Sequence, residues 1–347
     1  MKVDFGKIAG QERAKAFLSA ALLGEDIASA YLFEGPEGVG KATLALEFAK
    51  ALNCEDPEVR PCNRCRTCRM ISGFSHPDLI VLLPGDPEEW MEEIGKDGRI
   101  RPPSYDPTRE ISINQIRELK KELSKAPYEA RYRVVLILNA ENLSLEAQNA
   151  FLKTLEEPPP RTTFLLISSQ PEKVLPTIVS RARRVKFAPL DEDEFVSLDL
   201  GLKEKKLLFR LSGGSPGKAL KLVELGFLDL RKDLLNLLRT REPDVVGNKI
   251  LPSLQGSGSK GDLEAFFNVY QSVLRDLLLL KIGVGRNLLT NQDLAPQIEK
   301  TAENMSTVEI SALLEISFKV EVLSRKNTNR DLLIYTLFRP VFDRDQG

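Results

Sequence analysis

Two groups of residues in this 347-residue chain have the types and spacing to do chemistry. The first is Gly35-Pro36-Glu37-Gly38-Val39-Gly40-Lys41, set between an apolar run, Ala30 to Glu34, and a helical pattern, Thr43 to Asn53. Glycines at this spacing let backbone N–H groups curl round phosphate at a helix N-terminus, and the lysine reaches the outer phosphates. Gly35, Gly38, Gly40, Lys41 and Thr43 are therefore the candidate nucleotide-binding residues. The second group is Cys54, Cys62, Cys65 and Cys68, all the cysteines of the chain, spaced C-x7-C-x2-C-x2-C. Four thiolates at short loop spacings suit tetrahedral Zn²⁺, and a full four-cysteine set leaves no open position for a substrate. A structural staple is expected, with Arg60, Arg64, Arg66 and Arg69 near enough to offset its negative charge. An iron–sulfur ligand run of the ferredoxin kind would continue to a Cys-Pro pair, which is absent. His76, the single histidine, precedes Pro77 and reads as structural rather than as a fifth ligand.

The phosphate loop lacks its metal chemistry. The position after the lysine needs Ser or Thr to ligate Mg²⁺, and here it is Ala42. Thr43 lies one residue on, about 100° further round a helix, and is poorly placed to substitute. The run Arg133 to Leu138 should end in an acid for Mg²⁺ and a second acid for water. It ends in Asn139-Ala140-Glu141, with Glu141 beyond the expected place for a base. Hydrolysis needs a positioned metal and a positioned water, so neither Mg²⁺ nor turnover is expected. The surviving loop still leaves room for weak ATP or ADP binding.

The elements that must carry these groups follow from periodicity. Short apolar runs at Ala30–Glu34, Leu79–Leu83, Arg133–Leu138 and Thr163–Ser168, separated by helical patterns, predict a parallel sheet covered on both faces. Gln11 to Leu23 and the basic amphipathic stretch Ile111 to Lys125 predict helices; the charged face of the second reads as solvated. Gly85 to Asp106 reads as an exposed excursion. After Pro189 the patterns are helical: Asp191 to Leu211, a helix starting at Pro216 behind Ser215, and Asp262 to Phe338, with breaks at Asn291 to Gln297 and Asn327 to Asn329. Gly256 to Gly261 reads as a turn or linker. The expected domains are an α/β phosphate-loop domain over 1–190 with the cysteine module at 54–68 inserted, a small helical domain over 191–245, and an all-helical domain over 246–347.

Composition narrows the function classes. Hydrophobic residues make up 42% and charged residues 29%, ordinary for a globular protein. The 49 Lys+Arg against 50 Asp+Glu give a net charge of −1. A chain gripping DNA alone usually carries a basic excess, so any nucleic-acid contact is expected to be local or shared with partners. No apolar stretch reaches the roughly 20 residues a membrane span needs, and the first residues have no secretory pattern. Cysteines clustered for metal fit a cytoplasmic setting.

Taken together these features resemble the clamp-loader branch of the AAA+ family, the bacterial DNA polymerase III loader above all. The resemblance rests on Ile8-Ala9-Gly10-Gln11, on Ala30 through Lys41, and on a cysteine module placed directly after the following helix. It rests further on Asn149-Ala150-Phe151-Leu152-Lys153-Thr154-Leu155-Glu156-Glu157-Pro158-Pro159, Ser180-Arg181-Ala182 and Gly214-Ser215-Pro216-Gly217-Lys218-Ala219-Leu220. It is strong to about residue 225. It implies an AAA+ domain, a helical lid and a C-terminal collar. It implies partners too: ATPase subunits of the gamma/tau type and delta in a five-membered ring, with the sliding clamp and primer-template DNA reached through the assembly.

Arg181 stands where the family's Ser-Arg-Cys arginine enters a neighbour's ATP site, although Ala182 replaces the cysteine and Arg183 and Arg184 would also suit a plain basic surface. Ser168 stands at the sensor 1 position. Gly217 stands where active loader ATPases place a second sensing arginine, and Lys218 beside it reads as a surface residue. The resemblance thus implies a non-hydrolysing structural and regulatory subunit. The alternatives are an active gamma/tau-type ATPase, which Ala42, Asn139 and Ala140 oppose, and a stand-alone nucleotide-binding regulator, which leaves Arg181 and the Leu152 to Pro159 stretch unexplained.

Overall fold

The computed structural model describes residues 2–6, 8–85, 109–199, 201, 203–251, 260–324 and 329–342. The excursion expected over 85–106 lies almost wholly outside the described residues, as do residues 256–259 of the expected linker, whereas Lys260 and Gly261 already belong to a helix. The chain divides into two compact units, 1–190 and 191–347.

The first unit is built on five parallel strands in the order β4-β5-β6-β2-β7: β2 (Ala30–Glu34), β4 (Leu79–Leu82), β5 (Arg133–Ile137), β6 (Thr162–Ser168) and β7 (Arg183–Lys186). Two short strands, β1 (Lys2–Val3) and β3 (Val59–Arg60), pair in parallel beside it. Because side chains alternate across a strand, Tyr31, Phe33, Val134, Leu136, Leu165 and Ile167 enter one core. That core is filled by α1 (Glu12–Leu23), α2 (Lys41–Asn53) and α3 (Arg66–Ser72) through Leu18, Leu44, Phe48 and Ile71. Leu32, Val135, Ile137, Phe164 and Leu166 enter the other, with Ile116 and Leu119 of α4 (Ile113–Leu123) and Phe151 of α5 (Leu145–Glu156). Both faces are buried, which is why the strands read as unbroken apolar runs. Ser112 and Gln115 close a capping box that starts α4, satisfying two N–H groups the helix cannot pair itself.

β6 starts one residue earlier than its pattern predicts. α2 begins at Lys41 rather than Thr43, since the left-handed Gly40 (φ 97°) is its N-cap and the loop runs straight into the first turn.

In the second unit, α7 (Glu192–Ser197) and α8 (Lys205–Ser212) replace the continuous helix expected over 191–211. Gly201, at φ 62°, lies in the break, a conformation that interrupts a right-handed helix. α9 (Pro216–Glu224) starts as expected, with the Ser215 side chain accepting from Lys218 N–H. α10 (Phe227–Thr240), α11 (Lys260–Lys281), α12 (Ala295–Glu303), α13 (Thr307–Ser324) and α14 (Arg330–Phe342) complete the unit. Its centre is α11, burying Phe266, Phe267, Tyr270 and Leu274, with Phe338 of α14 edge-on to Phe266 and Tyr270. Arg231 is fully buried and forks onto both oxygens of Asp293 at 2.9 and 2.8 Å. Among the described residues no helix is long and apolar enough to cross a membrane.

Candidate functional site: a self-closed phosphate loop, a four-sulfur cluster and a tethered arginine

The phosphate loop leaves β2 at Gly35, whose φ of 146° only glycine adopts freely; a Cβ there would lie 2.4 Å from the carbonyl oxygen of Phe187. Phe187 N–H donates to Glu34 O at 2.8 Å, so the end of β7 holds the loop's root. Gln11 ties the same parts together. Its Nε2 donates to Ala188 O at 2.6 Å and Val39 O at 3.4 Å, and its Oε1 accepts from Ala188 N–H. The Gln of the Ile8–Gln11 motif is a clasp on the loop.

Lys41 is buried and turned back on its own loop. Its Nζ donates to the carbonyls of Gly35 and Pro36, at 2.6 and 2.5 Å, and to Ser169 Oγ at 3.0 Å. Thr43 is exposed on the first turn of α2. At the mouth of β5, Asn139 sits in a left-handed conformation and Ala140 begins a short 3₁₀ turn. Glu141 Oε1 accepts from Ser169 N–H at 3.0 Å, and its buried Oε2 has no hydrogen-bond partner among the described residues. Ser168 is buried at the end of β6, and its hydroxyl accepts from Gln170 N–H. The hydroxyl that meets the loop lysine is thus that of Ser169, which sequence reasoning missed. The tandem Ser168-Ser169 was the signal, and one residue of strand-end register decided between them.

The four cysteines converge. Their sulfurs all lie within 4.8 Å of one another, Cys54 and Cys68 buried, Cys62 and Cys65 half-buried. Sulfurs 2.3 Å from a tetrahedral Zn²⁺ are about 3.8 Å apart, so the donor set and spacing fit the metal. N–H groups point at these sulfurs, among them Cys62 to Cys54, Cys65 to Cys62 and Cys68 to Cys65, at 3.3 to 3.4 Å. Each offsets negative charge on a thiolate. Burial pushes the Cys54 and Cys68 thiols up. Burial acts the same way on Cys62, but N–H groups of Arg64 and Cys65 and the neighbouring thiols outweigh it and bring it to about 7. The cluster hangs on the C-terminus of α2, where Lys50, paired with Glu47, donates to Asn63 Oδ1 at 2.5 Å. His76 is buried apart from the cluster, its Nδ1 accepting from Asp78 N–H.

Arg181 follows the short helix α6 (Pro176–Val179), and both ends of that segment are tied to α5. Gln148 Oε1 accepts from Leu175 N–H at 2.7 Å. Glu156 Oε1 accepts from Arg181 Nη2 at 2.6 Å, and Arg181 Nη1 donates to Thr177 O at 2.9 Å. Arg183 and Arg184 belong to β7 and serve it: Arg183 forks onto Asp26, and Arg184 pairs with the buried Glu34. Gly217 carries no side chain, and Lys218 is paired with Glu264 at 2.9 Å.

Family profiles match both units: "DNA polymerase III, delta subunit" over residues 10–191 and "DNA polymerase III, delta subunit, C terminal" over 226–339. The delta' subunit of Bacillus subtilis DNA polymerase III is 29% identical over 88% of this chain and 89% of its own length. That of Escherichia coli is 28% identical over 89% and 87%. The tau subunit of Bacillus subtilis is 35% identical, but over only 55% of this chain and 30% of its own length. Similarity along nearly the whole chain is thus found with delta', whereas that with tau covers little more than half of it. The chain belongs to the DNA polymerase III delta-subunit family, in the branch of the delta' subunits.

Proposed function

We propose that this chain is a non-hydrolysing structural and regulatory subunit of a sliding-clamp loader, lending Arg181 to a neighbouring subunit's ATPase site. One observation carries the reading: the side chains that would hold Mg²⁺ and activate water are missing from both ends of the chain's own site, at Ala42 and at Asn139-Ala140. The buried Lys41, spent on Gly35 and Pro36 carbonyls, supports it. Chemistry in such a chain has to be supplied to a partner. A guanidinium does this without a metal, by neutralising charge that develops on the γ-phosphate.

The four sulfurs hold a structural Zn²⁺, bound by Cys54, Cys62, Cys65 and Cys68, and ATP or ADP binds weakly if at all. Partners are the gamma/tau-type ATPase subunits and delta, with clamp and primer-template DNA reached through the assembly in the cytoplasm. Residues 191–245 act as the lid and 246–347 as the collar joining the ring. The test is reconstitution. The chain should co-purify in a ring with the loader ATPases, and Arg181→Ala should lower the ring's ATPase at one site by roughly 10- to 1,000-fold while leaving assembly intact. An unchanged rate in an intact ring removes the finger assignment.

A further inference from the structure

We infer that Glu156 is a positioning residue for Arg181, and that the stretch Asn149 to Pro159 exists in part to build this support; the inference rests on the reading of Arg181 as a residue offered to a partner. The contact is direct, Arg181 Nη2 to Glu156 Oε1 at 2.6 Å. With Nη1 given to Thr177 O and more distantly to Ser180 Oγ, three of the five guanidinium N–H donors are used. Two are left to meet an oxyanion.

Glu156 sits where a carboxylate is locally disfavoured. It is the last residue of α5, and the C-terminal end of a helix favours cations. Arg181 adds to the positive charge that Lys153 already brings to that last turn, and the carboxylate in turn holds the guanidinium. The neighbouring arginines, Arg183 and Arg184, are 41% and 50% exposed and differ in how their carboxylates hold them. Arg184 is bound through Nε and Nη2 to a carboxylate only 7% exposed, and Arg183 grips both oxygens of Asp26. Arg181 and Glu156 are 36% and 50% exposed and joined by a single short bond. Such a pair orients a side chain in water without sequestering it. The support beneath is rigid: Phe151 and Leu155 of α5 are buried, and Gln148 on the same helix fixes the backbone that starts α6. A long flexible side chain is therefore held in place by these contacts, with part of its ordering entropy spent before a phosphate arrives.

The experiment is made on the assembled ring, over ATP concentrations from below KM to saturation, with four variants of this chain. Glu156→Ala is expected to lower kcat by about 3- to 30-fold with KM for ATP within about twofold, because orientation and not nucleotide affinity is lost. Glu156→Gln keeps a carbonyl acceptor and is expected to restore most of the rate. In an Arg181→Ala background, Glu156→Ala is expected to add nothing. A wild-type rate for Glu156→Ala, or an equal further loss in the Arg181→Ala background, overturns the inference while leaving Arg181 in place. A silent Arg181→Ala variant overturns instead the reading beneath it.

Discussion

Replacing Lys41 by Met separates a brace from a nucleotide grip. In a phosphate-loop motor the lysine holds phosphate, and its loss abolishes turnover. Here Lys41 is 5% exposed, and its ammonium donates to Gly35 O, Pro36 O and Ser169 Oγ. Bonds to a charged donor contribute about 1.5–3 kcal/mol each. Gly35, Pro36 and Ser169 are all partly open to solvent, so water replaces much of what is lost. Methionine keeps the volume of the stem, and the cost of burying an ammonium disappears. The net loss is about 1–3 kcal/mol. For a unit of this size that lowers Tm by about 2–4 °C per kcal/mol, a fall of roughly 2–12 °C in a circular-dichroism melt. ATPase of the assembled ring should stay within about twofold of wild type. A melt that does not move, together with a ring ATPase lowered about tenfold or more, would refute the reasoning and make Lys41 a working phosphate ligand.

Elemental analysis should return about one zinc per chain, and the Cys62→Ser/Cys65→Ser variant close to none, with limited proteolysis opening near residues 54–72; iron with visible absorbance would contradict this. Asp78 is buried and accepts N–H from Tyr128, Glu129 and Ala130, each at 2.9 Å. Asp78→Asn turns an amide N–H toward those donors and should cost about 2–4 kcal/mol in a denaturant melt. Burial alone would raise the Asp78 carboxyl, but the three N–H bonds and Arg133 hold it below the ordinary carboxylate value. Its contribution is therefore full above pH ~4 and lost as pH falls through the depressed folded value. Wild type should lose stability over that acid range more steeply than Asp78→Asn, and parallel pH profiles would contradict the assignment.

The sheet was legible because burial on both faces writes strands as apolar blocks, and Ala30–Glu34 has the same limits in sequence and structure. The cysteine cluster was legible because loop spacing alone brings four sulfurs together. Other parts depended on tertiary placement. Nothing in Lys41's neighbours reveals that its ammonium returns to Gly35 and Pro36. Ser168 and Ser169 differ by one step of register, yet only the second reaches Lys41. Glu156 and Arg181 are 25 residues apart, and no local pattern pairs them. The break between α7 and α8 was missed because Asp191–Leu211 has helical spacing throughout, while Gly201 adopts a conformation that spacing does not encode.

Purified alone and given ATP with Mg²⁺, this chain should release phosphate no faster than its Lys41→Met variant. Turnover on the order of 1 s⁻¹, abolished by replacing Lys41 or Asn139, would contradict the conclusion that its own site has lost metal and water chemistry and that Arg181 acts in a neighbour's pocket.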